Sequence, residues 1–204
     1  MRVFLTVLVL IFSFQSWTKA EDISEFEIEG MSVGDSLFDY ISEKELKNKP
    51  KAKYKNSKFI AIIIEKYNFE IYDAAQVVYK NVDKKIHGID GILMYKNNLK
   101  KCLKKRDEII ADISELFPES KKRDKGKFKH NDDKTGKSFF YSYDLELESG
   151  AAVKVICYDW SKELTERENW PDSLTVTLNS KEFVEFLKKK ESVRLVYISY
   201  SYNS

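Results

Sequence analysis

The chain is poor in the residues that interrupt or staple a fold. It has three prolines, seven glycines and two cysteines in 204 residues. So few breakers leave no Gly-, Pro- or Ser-rich linker, which argues for one domain rather than a string of them. Two cysteines exclude a dense disulfide scaffold and a four-thiolate zinc site. The two histidines, His87 and His130, leave little from which to build a metal centre or a proton relay. Past the first twenty residues no apolar run approaches the roughly 20 residues that a membrane helix needs. An excess of one charge is missing too. Residues 1–20 hold Arg2, Lys19 and no acid, so the chain's 35 basic and 33 acidic residues become 33 and 33 beyond them. A neutral chain argues against nucleic acid as the partner, since that binding draws on clustered positive charge.

What is present at the start is a short basic opening, a twelve-residue apolar run at 3–14, and Thr18-Lys19-Ala20 with small residues at the minus-three and minus-one positions. This pattern predicts a secretory signal peptide over 1–20, cut after Ala20. The product is expected in the periplasm or outside the cell, without a stable membrane anchor, and residues 21–204 are expected to form a single α+β domain.

Residues 26–41 open that domain. Phe26, Ile28 and Gly30 alternate with Glu27 and Glu29, which predicts a half-buried strand, and Ser32 is placed to cap a helix carrying Val33, Leu37, Tyr40 and Ile41. Ser42 and Glu45 form a capping box for a second short helix. Within this stretch Gly34-Asp35-Ser36-Leu37 resembles the signature of the GDSL esterases, which implies a nucleophilic Ser36. That family's base is a histidine three residues after an aspartate near the C-terminus. Here neither histidine has that aspartate and none follows His130, so the resemblance stops at four residues.

A lysine-rich connector over 44–58 leads to a continuous apolar run at 59–64, read as the centre of a sheet covered on both faces. Strands follow at 75–80 and 86–95, then a long helix whose Leu99, Cys102, Leu103, Ile109, Ile110 and Ile113 share one stripe, capped by Asn97 or Asn98 and ended by Pro118. Its lysines come first and its acids last, against the helix dipole. Residues 119–137 show no apolar periodicity and are read as a long loop. Lys121, Lys122, Arg123, Lys125, Lys127 and Lys129 form a basic cluster there beside His130, a surface for an anion or a partner; one histidine beside adjacent acids matches no metal-site spacing.

The 139–160 stretch is a hairpin turned at Ser149-Gly150. Setting Glu148 opposite Ala151 puts Tyr141, Tyr143, Tyr158 and Trp160 on one face and Val153, Val155 and Cys157 on the other; an odd-length loop would shift that pairing. The aromatic face is either core or a platform for stacking sugars or a partner. A Cys102–Cys157 disulfide is expected in an oxidising compartment, worth about 4 kcal/mol through the loop it closes. It would set the helix on the Cys157 face and leave the aromatic face to be covered by the Phe183 helix or by a ligand. Leu174, Val176 and Leu178 alternate with threonines, Asn179 to Glu182 reads as a capping box for that helix, and a last strand is expected at 193–202. The blocks predict an α+β fold: a mostly antiparallel sheet with one long and several short helices packed on it.

Residues 25–37, the run Ile156-Cys157-Tyr158-Asp159-Trp160-Ser161 and Lys181-Glu182-Phe183 resemble a family of uncharacterised secreted proteins from Pelagibacter-type marine bacteria. That resemblance implies export and carries no activity. Two helices before three antiparallel strands also resembles the small periplasmic folds of outer-membrane assembly lipoproteins and β-lactamase inhibitor proteins, a likeness of fold that transfers no function. With no complete catalytic set and no cofactor motif, the chain reads as a non-enzymatic module binding an unknown small ligand or an envelope protein, with a Ser36 esterase as the alternative.

Overall fold

The computed structural model describes residues 22–54, 57–64, 69–131 and 133–189. The expected signal peptide and the expected strand at 193–202 lie outside them. The described chain is α+β, built on a sheet whose neighbouring strands are all antiparallel.

A small hairpin comes first: β1 (Glu27–Ile28) and β2 (Met31–Ser32). Gly30 is therefore not in a strand. It forms the turn with Glu29, both at positive φ, as a tight two-residue turn requires. The helix expected from Ser32 is likewise absent. Residues 34–37 instead run beside the start of a later strand, where Gly34 N–H donates to Ile86 O and Leu37 N–H to Lys84 O. Only a short 3-10 turn, Leu37–Asp39, follows. The capping box of Ser42 and Glu45 forms as expected and starts α1 (Glu43–Asn48).

The main sheet consists of two meanders. The first runs β3 (Ala52–Lys53), β4 (Phe59–Ile64), β5 (Ala74–Lys80), β6 (Ile86–Met94); the second runs β7 (Lys121–Lys129), β8 (Phe139–Glu146), β9 (Ala152–Asp159), β10 (Ser173–Asn179). Strands β6 and β10 pair along seven positions, from Met94↔Ser173 to Gly88↔Asn179, so the order is β3-β4-β5-β6-β10-β9-β8-β7. β4 is apolar because both its faces are buried, yet it lies next to the short edge strand β3, not at the centre. Strand β7 corrects the reading of 119–137 as a loop. Among the described residues it pairs with β8 alone at the edge of the sheet and is exposed on both faces, so it carries no apolar alternation to read, and lysines along such an edge discourage further strand pairing.

Helix α2 (Leu99–Leu116) is capped by Asn98 Oδ1, which accepts from Lys101 N–H. It crosses one face of the sheet from the end of β6 to the start of β7. There Cys102 and Ile113 pack on a core that includes Ile62, Val77, Leu174, Val176 and Leu145. Cys102 and Cys157 Sγ lie at disulfide distance, 2.07 Å, and tie the helix to β9. Among the described residues, the opposite face is covered at its two ends. At one end α4 (Lys181–Lys188) sets Phe183 and Phe186 on Phe59 and Val78, its N-cap being Ser180 and not Asn179, which closes β10. At the other end Trp160 and Trp170 cluster with Leu164 of α3 (Lys162–Glu168).

Replacing both cysteines by alanine is expected to lower the unfolding free energy by about 4 kcal/mol, because the bond closes a loop of sequence separation 55. Urea titration of the double variant against the parent checks this.

Candidate binding face

Antiparallel register aligns one polar residue from each of six adjacent strands. Gln76 pairs with Asp90, Asp90 with Thr177, Thr177 with Lys154, Lys154 with Asp144 and Asp144 with Arg123. Directly opposed side chains share a face, so these six form a row across the face away from α2. The row is bonded along its length. Gln76 Nε2 donates to Asp90 Oδ2 at 2.8 Å, and the Thr177 hydroxyl also donates to Asp90. Ser142 Oγ donates to Asp144 Oδ1 at 2.8 Å, and Lys125 Nζ lies 2.6 Å from Asp144 Oδ2.

The two carboxylates differ in their electrostatics. Burial pushes the Asp90 carboxyl above the usual range, outweighing its bonds from Thr177 and Gln76 and the nearby Lys154 ammonium. Burial acts the same way on Asp144, but its Lys125 ion pair, with help from Lys154 and Ser142, leaves it below that range. Three strand spacings of about 4.8 Å separate them, roughly 14 Å, too far for the paired carboxylates of a glycosidase.

The row divides the face into two clefts. The first, about 90 Å³, has Gln76, Asp90 and Thr175 as its floor and Tyr158, Trp160 and Trp170 as its wall. Tyr158 and Trp160 stack with centroids 5.3 Å apart and planes within 1°, and Trp170 lies 4.9 Å from Trp160. The second, about 320 Å³, lies between the row and Val184, Leu187 and Lys188 of α4.

Two carboxylates hold the aromatic wall. Asp172 Oδ1 accepts from Trp160 N–H at 2.8 Å while its carbonyl accepts from Tyr95 N–H. Asp133 accepts four bonds, from the N–H and hydroxyl of both Thr135 and Ser138. Ser138 Oγ in turn accepts from Ser161 N–H at 2.8 Å, fixing the residue that caps α3. These bonds from Ser138 and Thr135 hold the Asp133 carboxyl well below its ordinary range.

The sequence-predicted surface residues do not meet on one face. Beyond the pair in which Leu147 N–H donates to Ala151 O, three residues, Glu148, Ser149 and Gly150, turn the hairpin, so Glu146 and not Leu147 opposes Ala152. The pairing shifts by one, and Tyr141 and Tyr143 move to the α2 face with Cys157 and Val155, away from Tyr158 and Trp160. Lys121 and Arg123 share the row's face, whereas Lys122, Lys127 and Lys129 point to the other, with Lys127 Nζ 3.8 Å from the Phe139 ring centroid. His130 is buried 4.5 Å from the Trp160 ring. Ser36 Oγ accepts from Phe38 N–H, capping the 3-10 turn. Both His87 nitrogens face α4: Nδ1 is 2.9 Å from Ser180 Oγ and Nε2 is 3.8 Å from Glu182 Oε2. His130 lies at the other end of the strands and at least three strand spacings from the Lys85 that opposes Ser36.

Gln76, Asp90, Lys154, Trp170, Thr175 and Thr177 were not singled out by the sequence reading. The usable signal was Asp90, a lone acid inside the apolar strand Ile86–Met94.

Among the described residues no group of three or more His, Cys, Asp or Glu side chains could hold a metal ion, and no helix is long and apolar enough to cross a membrane. No family model, curated protein or solved structure matches the chain.

Asp133 supplies a pH test. Its folded pKa is lowered, so its stabilisation is present above the unfolded value of about 4 and is lost as pH falls through the folded one. Urea unfolding of Asp133→Ala against the parent is expected to show the largest stability gap at neutral pH, closing progressively below about pH 4.

Proposed function

We propose that the protein is an exported, non-enzymatic binding protein whose ligand is a saccharide lying across the open sheet face. The observation that carries this is the aromatic wall of Tyr158, Trp160 and Trp170 set beside the hydrogen-bonding floor of Gln76, Asp90 and Thr175. A sugar ring has apolar C–H faces and a rim of hydroxyls, and it needs those two kinds of surface side by side. Asp90 adds a second argument. A carboxylate whose charge is disfavoured by burial weakens the fold, and such a group persists where it serves binding. The cleft is small, so a ring would enter by one edge and lie mostly along the face. Export rests on the pattern of residues 1–20, and the buried Cys102–Cys157 pair suits an oxidising compartment. The esterase reading is set below this one because His87 is turned to Ser180 and Glu182, leaving Ser36 without it as a base.

Native electrophoresis through gels containing neutral and acidic polysaccharides tests the reading. The protein is expected to be retarded by at least one of them and Trp170→Ala by none; free migration through the whole panel would contradict it. Asp90→Asn separates stability from binding. Because the folded Asp90 pKa is raised, the burial penalty is absent below about pH 4 and grows as pH rises through the folded value. The variant is expected to melt about 2–4 °C higher than the parent at neutral pH, with no gain at acidic pH, and to lose retardation in the gel.

A further inference from the structure

The second cleft has a charge the first lacks. Arg123, Lys125, Lys154 and Lys188 line it against two carboxylates, Asp144 and Glu146. Those carboxylates are already engaged: Glu146 takes both Arg123 Nη2 at 2.7 Å and Lys188 Nζ at 3.1 Å, and Asp144 takes Lys125. Lys154 sits at the centre of the row, one strand from Asp144 and two from Asp90. Four cations on two anions leave the cleft two positive charges over. Val184 and Leu187 form an apolar back wall beside them.

We infer that the saccharide is an anionic one, its carboxylate or sulfate seated beside Lys154 in the cleft under α4. This rests on the saccharide reading. Thr175 in the aromatic cleft and Asn179 in the basic one are four residues apart on β10, about 13 Å at a strand's rise. A short oligosaccharide lying across the row reaches from the aromatic wall to the cations. The ammonium and guanidinium groups select the charged sugar, and the aromatic wall accepts any ring.

Calorimetric titration at low and high salt compares three probes: tetragalacturonate, its methyl-esterified neutral counterpart, and a sulfated tetrasaccharide. A charge-assisted hydrogen bond is worth about 1.5–3 kcal/mol, so at least one acidic probe is expected to bind about tenfold or more tighter than the ester. The preference should shrink at high salt and vanish in Lys154→Met. Which acidic probe binds tighter separates carboxylate from sulfate. Equal binding of all three would overturn the inference and leave the saccharide reading standing. If none binds, that reading fails, and inorganic sulfate followed by amide chemical shifts decides the cluster alone: shifts at 152–155 and 179–188 support an anion site, and their absence overturns it. Should Lys154→Met fail to fold, Lys188→Met at the exposed end of α4 takes its place, and an undiminished preference there counts against the inference.

Discussion

The pairing of β6 with β10 is the constraint on which the rest of the molecule depends. It joins two meanders at the middle of the sheet, so the chain leaving β6 must restart at the far edge, four strand spacings or about 19 Å away. The 18 residues of α2, about 27 Å long, make that crossing. A helix obliged to lie across the strands buries its apolar stripe on the face it crosses, and the Cys102–Cys157 bond holds it there. One face is thereby closed along most of its width. Among the described residues, the other carries α4 and the tryptophan cluster at its ends.

That asymmetry explains why β10 is buried throughout yet strictly divided. Leu174, Val176 and Leu178 face the α2 core, and Ser173, Thr175, Thr177 and Asn179 face the opposite side. If the second face were simply core, apolar residues there would stabilise the sheet more than hydroxyls and a half-buried Asp90 do. The walls of the face are built with comparable care: Asp133, Ser138 and Ser161 form one relay of hydrogen bonds and Asp172 a separate anchor, both ending on the segment that carries Trp160. Gly88 serves the other wall. A Cβ there would come within 2.9 Å of Asn179 Oδ1 and 3.3 Å of the Phe183 ring, so only glycine lets α4 settle on β6.

Much of the fold could be read from local pattern. The apolar stripe and Asn98 cap of α2, the Ser42–Glu45 box, strands β5 and β6 and the pairing of Cys102 with Cys157 all rest on interactions close in sequence or on a single strong pattern. Three features escaped for distinct reasons. β7 is exposed on both faces, and a strand with no buried face leaves no alternation. The β8–β9 register turned on a single residue, because Gly150 at φ +87 completes a three-residue loop and not a two-residue one. The candidate site itself is a row across six strands, from Gln76 to Arg123, and such a row exists only once every register is set. Asp90 marked it in the sequence, but one acid in an apolar strand does not name its partners.

The central claim is that the face opposite α2 receives a saccharide. Its most direct test is amide chemical-shift mapping of the labelled protein against a pool of tetrasaccharides released from neutral and acidic polysaccharides. The account predicts perturbations gathered on Gln76, Asp90, Lys154, Tyr158, Trp170 and Thr175, with α2 silent. Shifts confined to α2 or to the β1–β2 hairpin, or none with any fraction of the pool, would contradict it.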